Sequence, residues 1–479
     1  MATTAEYLQT SEEETVHMQS VFAIQQKAYR ANPMPTVEER IANLKKLKHA
    51  ILDNQEAIIA AINKDFSGRS RDETLLAEIM PIAQDINHTI KRVRKWMKPS
   101  RRRVGQHLQP AAAKVVYQPL GVVGIMVPWN YPVQLGVLPL VGALAAGNHA
   151  MIKMSEFTPN TAECFAKIMA DTFPAEHVAV INGDAKIAAE FSKLPFDHLL
   201  FTGSTQVGKI VMRAAAENLT PVTLELGGKS PSIIGDDIPM EDAVERICFG
   251  KSFNAGQTCV ATDYVLCPRD KQDEFIDTYR RVFNRMYPTV AGNEDYTSVV
   301  NERQKQRLQQ LVTDARNKGA TVHVIGEENI ADGSRRMPLH ILTDVNDDMP
   351  VMQEEIFGPV MPVIPYDSLE QALEFVRDRP RPLALYYFSY DKLTQEHVLN
   401  TTHSGGVCIN DTLFHVAVED IPFGGIGPSG MGHYHGHDGF LTFSKAKGVF
   451  LKQKFNAAKF IYPPYGGKLH QLVQKLFIR

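Results

Sequence analysis

Val222-Thr223-Leu224-Glu225-Leu226-Gly227-Gly228-Lys229-Ser230 is an apolar strand that two glycines break. It is the last of one alternating series and stands just before another. Upstream, short apolar runs at Gly121–Val127, Ala150–Lys153, Val178–Ile181 and His198–Phe201 are separated by helical stretches. Downstream, runs near Ser232–Ile234, Tyr264–Leu266, Thr321–Ile325, Val360–Ile364, Ala384–Phe388 and Val407–Ile409 repeat the pattern. Apolar strands alternating with helices are the βαβ rhythm of doubly wound parallel sheets. The reading is therefore two α/β domains joined near Glu225–Gly228. Two amphipathic helical segments precede them, Glu12 to Arg30 and Val37 to Leu52. Ser11 with Glu14, and Thr36 with Glu39, read as capping boxes that open these helices.

Within the strand, Glu225 is a carboxylate among apolar neighbours. Burial would raise its pKa and make it a candidate general base; a surface turn acid is the competing reading. Cys259, thirty-four residues on, closes the stretch Phe253-Asn254-Ala255-Gly256-Gln257-Thr258-Cys259. A thiolate attacks carbonyl carbon, and Gly256 permits backbone shapes and close approaches that a side chain forbids. A lone cysteine is more often a small buried hydrophobe. Third, Val127-Pro128-Trp129-Asn130-Tyr131-Pro132 follows an apolar run. The flanking prolines fix the backbone, and the Asn130 amide can donate to an oxyanion or simply serve a turn.

The bounds exclude several classes. The chain has 479 residues, enough for two or three domains. Its 44% hydrophobic and 22% charged residues are ordinary for a globular protein, and a net charge of -3 implies no polyelectrolyte partner. Five cysteines, an odd number, fit a reducing compartment and no disulfide framework. With no secretion signal at the N-terminus, the expected location is cytoplasmic. Residues 91–103 hold eight Lys or Arg, but with Trp96 as the one interleaved aromatic they read as a solvated helix face and linker, with no nucleic acid. The apolar region Leu120 to Gly147 is interrupted by three prolines and two amides, so no membrane-spanning segment is expected. Leu469, Leu472, Val473, Leu476 and Phe477 share one helical face near the C-terminus. This helix is expected to dock on the protein, with a membrane surface as the alternative.

Together these segments resemble the aldehyde dehydrogenase superfamily, from about Phe22 to Phe443. The similarity also takes in Lys153-Met154-Ser155-Glu156, Phe201-Thr202-Gly203-Ser204, Glu354-Glu355-Ile356-Phe357-Gly358-Pro359 and Pro422-Phe423-Gly424-Gly425. Gly430-Met431-Gly432-His433-Tyr434-His435-Gly436 and Tyr462-Pro463-Pro464-Tyr465 look like the class 3 branch. Val21 to Lys48 and Gly430 to Ser444 look most like its coniferyl aldehyde dehydrogenases.

The resemblance implies NAD(P)-dependent oxidation of an aldehyde to a carboxylate through a cysteine thiohemiacetal and thioester. It makes Cys259 the nucleophile, Glu225 the base and Asn130 the oxyanion donor. It places Lys153 and Glu156 at the adenosine ribose, Gly203 and Ser204 near the pyrophosphate, Glu355 at the nicotinamide ribose and Phe357 near the ring. A carboxylate at Glu156 suits the free ribose diol of NAD, with NADP possible as well. Aromatic or cinnamyl aldehydes are the expected substrates; medium- to long-chain aliphatic aldehydes are the alternative, and CoA-acylating chemistry is a further one. It also implies a Rossmann-like cofactor domain (1–227), a catalytic domain (228–405), and a return segment (406–479) that joins residues 101–118 in a small β oligomerisation arm of a homodimer.

Three competing motifs remain. Gly203-Ser204-Thr205-Gln206-Val207-Gly208-Lys209 has the form of a P-loop, the mark of an ATPase or kinase, but Ile210 stands where that motif needs Ser or Thr. What survives is a helix N-terminus suited to phosphate. His433, His435 and His437 alternate, and on a strand they would share one face as metal ligands; no metal is expected, since only Asp438 could complete the set. Cys267 could pair with Cys259 under oxidation, but at a strand end before Pro268 it reads as structural.

Overall fold

The computed structural model describes residues 4–327, 330–331, 333–456, 459 and 462–478. Strands are numbered in chain order. A three-stranded antiparallel sheet joins β1 (Ser100–Arg102), β2 (Ala111–Pro119) and β16 (Ser444–Lys452), in that order. The six-stranded sheet uses β3 (Val122–Met126), β4 (His149–Lys153), β5 (Val178–Ile181), β6 (His198–Gly203), β7 (Val222–Leu226) and β15 (Gly430–Met431). Its order is β15-β7-β6-β3-β4-β5, and β15 is its antiparallel edge. The seven-stranded sheet uses β8 (Pro231–Ile234), β9 (Tyr264–Pro268), β10 (Thr321–Ile325), β11 (Leu339–Thr343), β12 (Val360–Tyr366), β13 (Ala384–Phe388) and β14 (Gly406–Ile409). Its order is β10-β11-β12-β9-β8-β13-β14, parallel apart from the β10–β11 pair.

The expected two doubly wound units are thus present, with β7 and β8 on either side of Gly227-Gly228. Their strands are buried on both faces, as crossover helices require. The helix Gln134–Ala146 is buried from Leu135 to Ala146 and packs between the six-stranded sheet and the N-terminal helices. Arg40, 2% exposed, satisfies that helix's last carbonyls by donating to Ala145 O at 2.9 Å and Ala146 O at 2.6 Å. The larger sheet runs past residue 405, because β14 pairs with β13.

Several expectations are corrected. The first helix begins at Thr4, so Ser11 lies inside it and does not cap it. The capping box at Thr36 and Glu39 does form. Strands β1, β11 and β15 were not foreseen. The three histidines share no strand: His433 precedes the helix Gly436–Thr442, His435 stacks on Phe423, and His437 lies against Trp96 and Phe440. The C-terminal helix Lys468–Phe477 has no buried residue, and Leu472 and Leu476 stand exposed, so the described residues do not cover its apolar face. Among the described residues, no helix is long and apolar enough to cross a membrane.

Candidate active site

Neighbouring strands bring the candidate residues to one edge. Glu225 lies on β7, Gly203 ends β6, Asn130 follows β3 and Lys153 ends β4. These strands are adjacent and parallel, with Thr202 beside Glu225 and Gly203 beside Leu226. The carboxyl edge of such a sheet is where open α/β folds bind ligands.

Glu225 is 3% exposed, and neither carboxylate oxygen has a hydrogen-bond partner. Burial alone drives its pKa well above the usual carboxylate range. The surface-acid reading is thereby set aside. Cys259 keeps partial solvent access while its sulfur is deeply seated. Burial, then the carboxylates of Glu355 and Glu225, push the thiol up to about 12, opposed by the backbone N–H groups of Cys259 and Val260. Mutual influence of this kind places the sulfur with both acids.

The turn before Cys259 is built from three successive left-handed residues, Asn254 (φ 52°), Ala255 (φ 52°) and Gly256 (φ 72°). Such a run is costly for residues with a Cβ and must be held from outside. Glu73 accepts the Asn254 N–H at 3.0 Å, and Gln257 is tied on both sides, to Ser298 O at 3.1 Å and from Val300 N–H at 2.9 Å. The need for glycine at 256 is also steric. A Cβ there would lie 2.6 Å from the Gly358 carbonyl oxygen. The close approach is by chain and not by ligand.

Asn130 is 2% exposed, and its side-chain N–H donates to Gln257 O at 3.2 Å. The amide is thereby aimed at the Cys259 turn. The Asn130 backbone carbonyl accepts from Arg69 at 2.7 Å and from Asn254 at 3.3 Å. Arg69 pairs with Glu78 at 3.3 Å, both side chains fully buried, and lies 4.7 Å over the Tyr131 ring. Glu78 in turn accepts the N–H groups of Val133 and Gln134. Sequence reasoning missed Arg69, Glu73 and Glu78, because buried ion pairs carry no periodic signature.

Glu355 faces the same centre. A Cβ on Gly227 would fall 2.1 Å from its carboxylate, so that glycine makes room for it. Burial and then Asp263 raise the Glu355 pKa to about 8, opposed by the Gly228 N–H, Lys229 and Arg307. Phe357 (φ 53°) meets Trp129 edge-on at 5.2 Å, which joins this segment to the Asn130 turn. Lys229 braces it from behind, bonding Asp263, Val351 O at 2.7 Å and Glu354 O at 3.0 Å.

The remaining candidates form a second group along β4 and β6. Lys153 is 2% exposed and donates to Met154 O at 2.6 Å and Gly183 O at 2.7 Å. Burial lowers its pKa, partly offset by Glu156 and Asp184. Glu156 is exposed beyond the strand end. Ser204 caps the helix Thr205–Ala216, its hydroxyl accepting the Val207 N–H at 3.4 Å. Gly208 packs that helix on β7, since a Cβ would meet Leu226 at 2.7 Å. This explains the second P-loop-like glycine without a phosphate. Cys267 is fully buried in β9 with a free thiol, consistent with its structural reading.

The chain matches the aldehyde dehydrogenase family over residues 2–449. A probable coniferyl aldehyde dehydrogenase of Pseudomonas aeruginosa is 61% identical over 474 residues, 99% of each chain. A coniferyl aldehyde dehydrogenase of Pseudomonas sp. (strain HR199) is 43% identical over 454 residues, 94% of each chain. The substrate-bound structure of Staphylococcus aureus AldH superposes with a TM-score of 0.91 at 37% identity, covering 96% of this chain and 99% of that one.

Proposed function

Because the chain belongs to the aldehyde dehydrogenase family, we propose that it oxidises an aromatic or cinnamyl aldehyde to its carboxylate, with Cys259 as nucleophile and NAD as the preferred cofactor. The observation that carries this reading is the convergence of Cys259, Glu225 and the Asn130 amide on one buried edge. The substrate class is supported by two relatives named as coniferyl aldehyde dehydrogenases.

The second group of residues fits a dinucleotide. The helix Thr205–Ala216 offers its N-terminus, and exposed Val207 and Ile210 form an apolar ledge beside it. Glu156 is free to accept from a ribose diol, and Lys153 is held rigidly next to it. Glu355 would take the second ribose, with Phe357 beside the ring. When bound, the nicotinamide supplies a hydride acceptor, and its positive charge favours the thiolate.

Glu225, a stronger base for being buried, accepts the Cys259 proton. The thiolate adds to the aldehyde carbon, and the Asn130 amide with the Cys259 N–H stabilises the oxyanion. Loss of hydride leaves a thioester on Cys259. Once that first proton has passed to solvent, Glu225 takes another from the water that attacks the thioester, and the C–S bond breaks to release the acid and restore the Cys259 thiolate.

A panel of cinnamyl, benzyl and aliphatic aldehydes crossed with NAD and NADP tests the proposal. Cinnamyl aldehydes with NAD should give the highest kcat/KM; a clear preference for long aliphatic aldehydes would favour the alternative. Formation of acyl-CoA in the presence of coenzyme A would replace hydrolysis with thiol exchange.

A further inference from the structure

Asn130 follows β3 of the six-stranded sheet, whereas Cys259 precedes β9 of the seven-stranded one. An amide that is to meet a charge forming beside the thiol must be fixed across that divide. Resting on the reading of Asn130 as oxyanion donor, we propose that Arg69 is a positioning residue for that amide. It closes a hydrogen-bonded ring that sets the direction of the Asn130 side chain relative to the Cys259 turn.

The ring is continuous. Arg69 lies in the connection between the helix Gln55–Phe66 and the short helix Arg71–Thr74. Its Nη1 donates to the Asn130 backbone oxygen at 2.7 Å. The Asn130 side-chain amide donates to Gln257 O at 3.2 Å. The Gln257 amide donates to Ser298 O at 3.1 Å. The Ser298 N–H then donates, at 2.9 Å, to the oxygen of Gly68, the residue before Arg69. Four segments distant in sequence are joined in one circuit. Two cross-ties stiffen it. The Asn254 side-chain nitrogen donates to Asn130 O at 3.3 Å and to Gln257 O at 3.0 Å. The Tyr131 and Thr258 hydroxyls meet at 2.8 Å, so the residues adjoining Asn130 and Cys259 touch directly. An asparagine amide nitrogen carries two N–H groups. With one committed to Gln257 O, the direction of the other follows, and that second N–H is the one an oxyanion can use.

Arg69 brings the ring its one charged donor. It is 1% exposed, 3.3 Å from Glu78, and its guanidinium lies 4.7 Å over the Tyr131 ring and 5.2 Å over that of Phe66. Among the described residues its Nε and Nη2 make no hydrogen bond, so the bond to Asn130 O is the fork's fixed point. A buried ion pair is weak ground for stability, because apolar residues of similar volume often serve as well. Its use here is geometric. A charged N–H holds a carbonyl more firmly than a neutral one, and the two flanking rings restrain the planar fork. Glu78 fixes the far side of the same turn by accepting the Val133 and Gln134 N–H groups at 2.7 and 3.0 Å. The charge that Asn130 meets exists only once sulfur has added to the aldehyde. Loss of its aim therefore slows that step and leaves cofactor binding alone.

The test is a cycle of variants. Arg69→Met made together with Glu78→Gln removes both charges at similar volume, so neither is left unpaired. In stopped-flow mixing with NAD and cinnamaldehyde, the first turnover, read as NADH absorbance, should slow by about tenfold. The KM for NAD should stay within about twofold of native, since uniform binding is untouched. The same pair is then made in Asn130→Ala. Arg69 acts through the Asn130 side chain, so there the pair should change the first turnover by less than about twofold. A native rate in the pair, or an equal loss in the Asn130→Ala background, would overturn the assignment. Should thermal unfolding show the pair to be misfolded, Arg69→Lys enters the same cycle. It keeps the charge without the planar fork, a loss of about threefold is expected, and the same two outcomes decide. A native first turnover in Asn130→Ala alone would instead bring down the oxyanion reading, and this inference with it.

Discussion

Cys259 is a neutral thiol, held so by burial and by two acids. Its reactivity therefore depends on neighbours more than on sulfur itself, and each neighbour has a distinct signature. Cys259→Ala should abolish aldehyde oxidation and acylation together. Glu225→Gln should leave acylation measurable and slow breakdown by a factor of about 10² or more, so that acyl-enzyme accumulates and shows in the intact mass. Asn130→Ala should lower kcat by about 10² with a smaller change in KM, because it removes a donor to charge that exists only in the transition state. Steady-state kinetics on the three variants separate these roles. Equal kcat in Asn130→Ala and native protein would remove the amide from the oxyanion site.

At the scale of the element, the Asn254–Gly256 turn governs the thiol's position. Gly256→Ala would drive a Cβ into the Gly358 carbonyl at a left-handed φ, so a loss of about 2 kcal/mol or more is expected in urea unfolding, with a weaker acylation burst. Ala255→Gly should be tolerated, because glycine relieves the same strain. The alternating apolar runs were legible because parallel strands are buried on both faces. That made β5, β7 and β13 readable to the residue. β15 was not, since two residues beside Glu225 have no pattern of their own. The alternating histidines misled for the opposite reason, as a period of two in sequence needs a strand to become a face. Glu225, Asn130 and Cys259 were each ambiguous alone and became persuasive as an ordered set. Arg69 and Glu78 are visible only once burial is known, because a charged residue in sequence does not announce that it is buried against a partner.

Over the whole molecule, the buried acids tie stability to pH. Asp85 is raised in the folded state from 3.8 to about 7, so the folded protein binds its proton more tightly than the unfolded chain. Its contribution is favourable at low pH and is lost as pH rises from about 4 through 7. Asp85→Asn should therefore raise the Tm at pH 8 relative to native protein and change it little at pH 4, a comparison that differential scanning calorimetry makes directly. An unchanged Tm at pH 8 would contradict the burial of that carboxylate as an ion. The arm sheet leaves Phe450 and Leu451 exposed along β16; if it mediates the homodimer expected here, Phe450→Asp with Leu451→Asp should yield monomers in analytical ultracentrifugation.

The pairing of Gly430 with Glu225 has a consequence for how the protein is made. During synthesis β7 emerges roughly two hundred residues before the strand that covers its edge, and at ribosomal speed this gap lasts about ten seconds or more. For that interval the nascent chain presents an unprotected hydrogen-bonding margin next to Glu225, the kind of surface on which neighbouring chains can aggregate. The edge beside Glu225 is thus covered only once residue 430 has been made, however early the first sheet has closed.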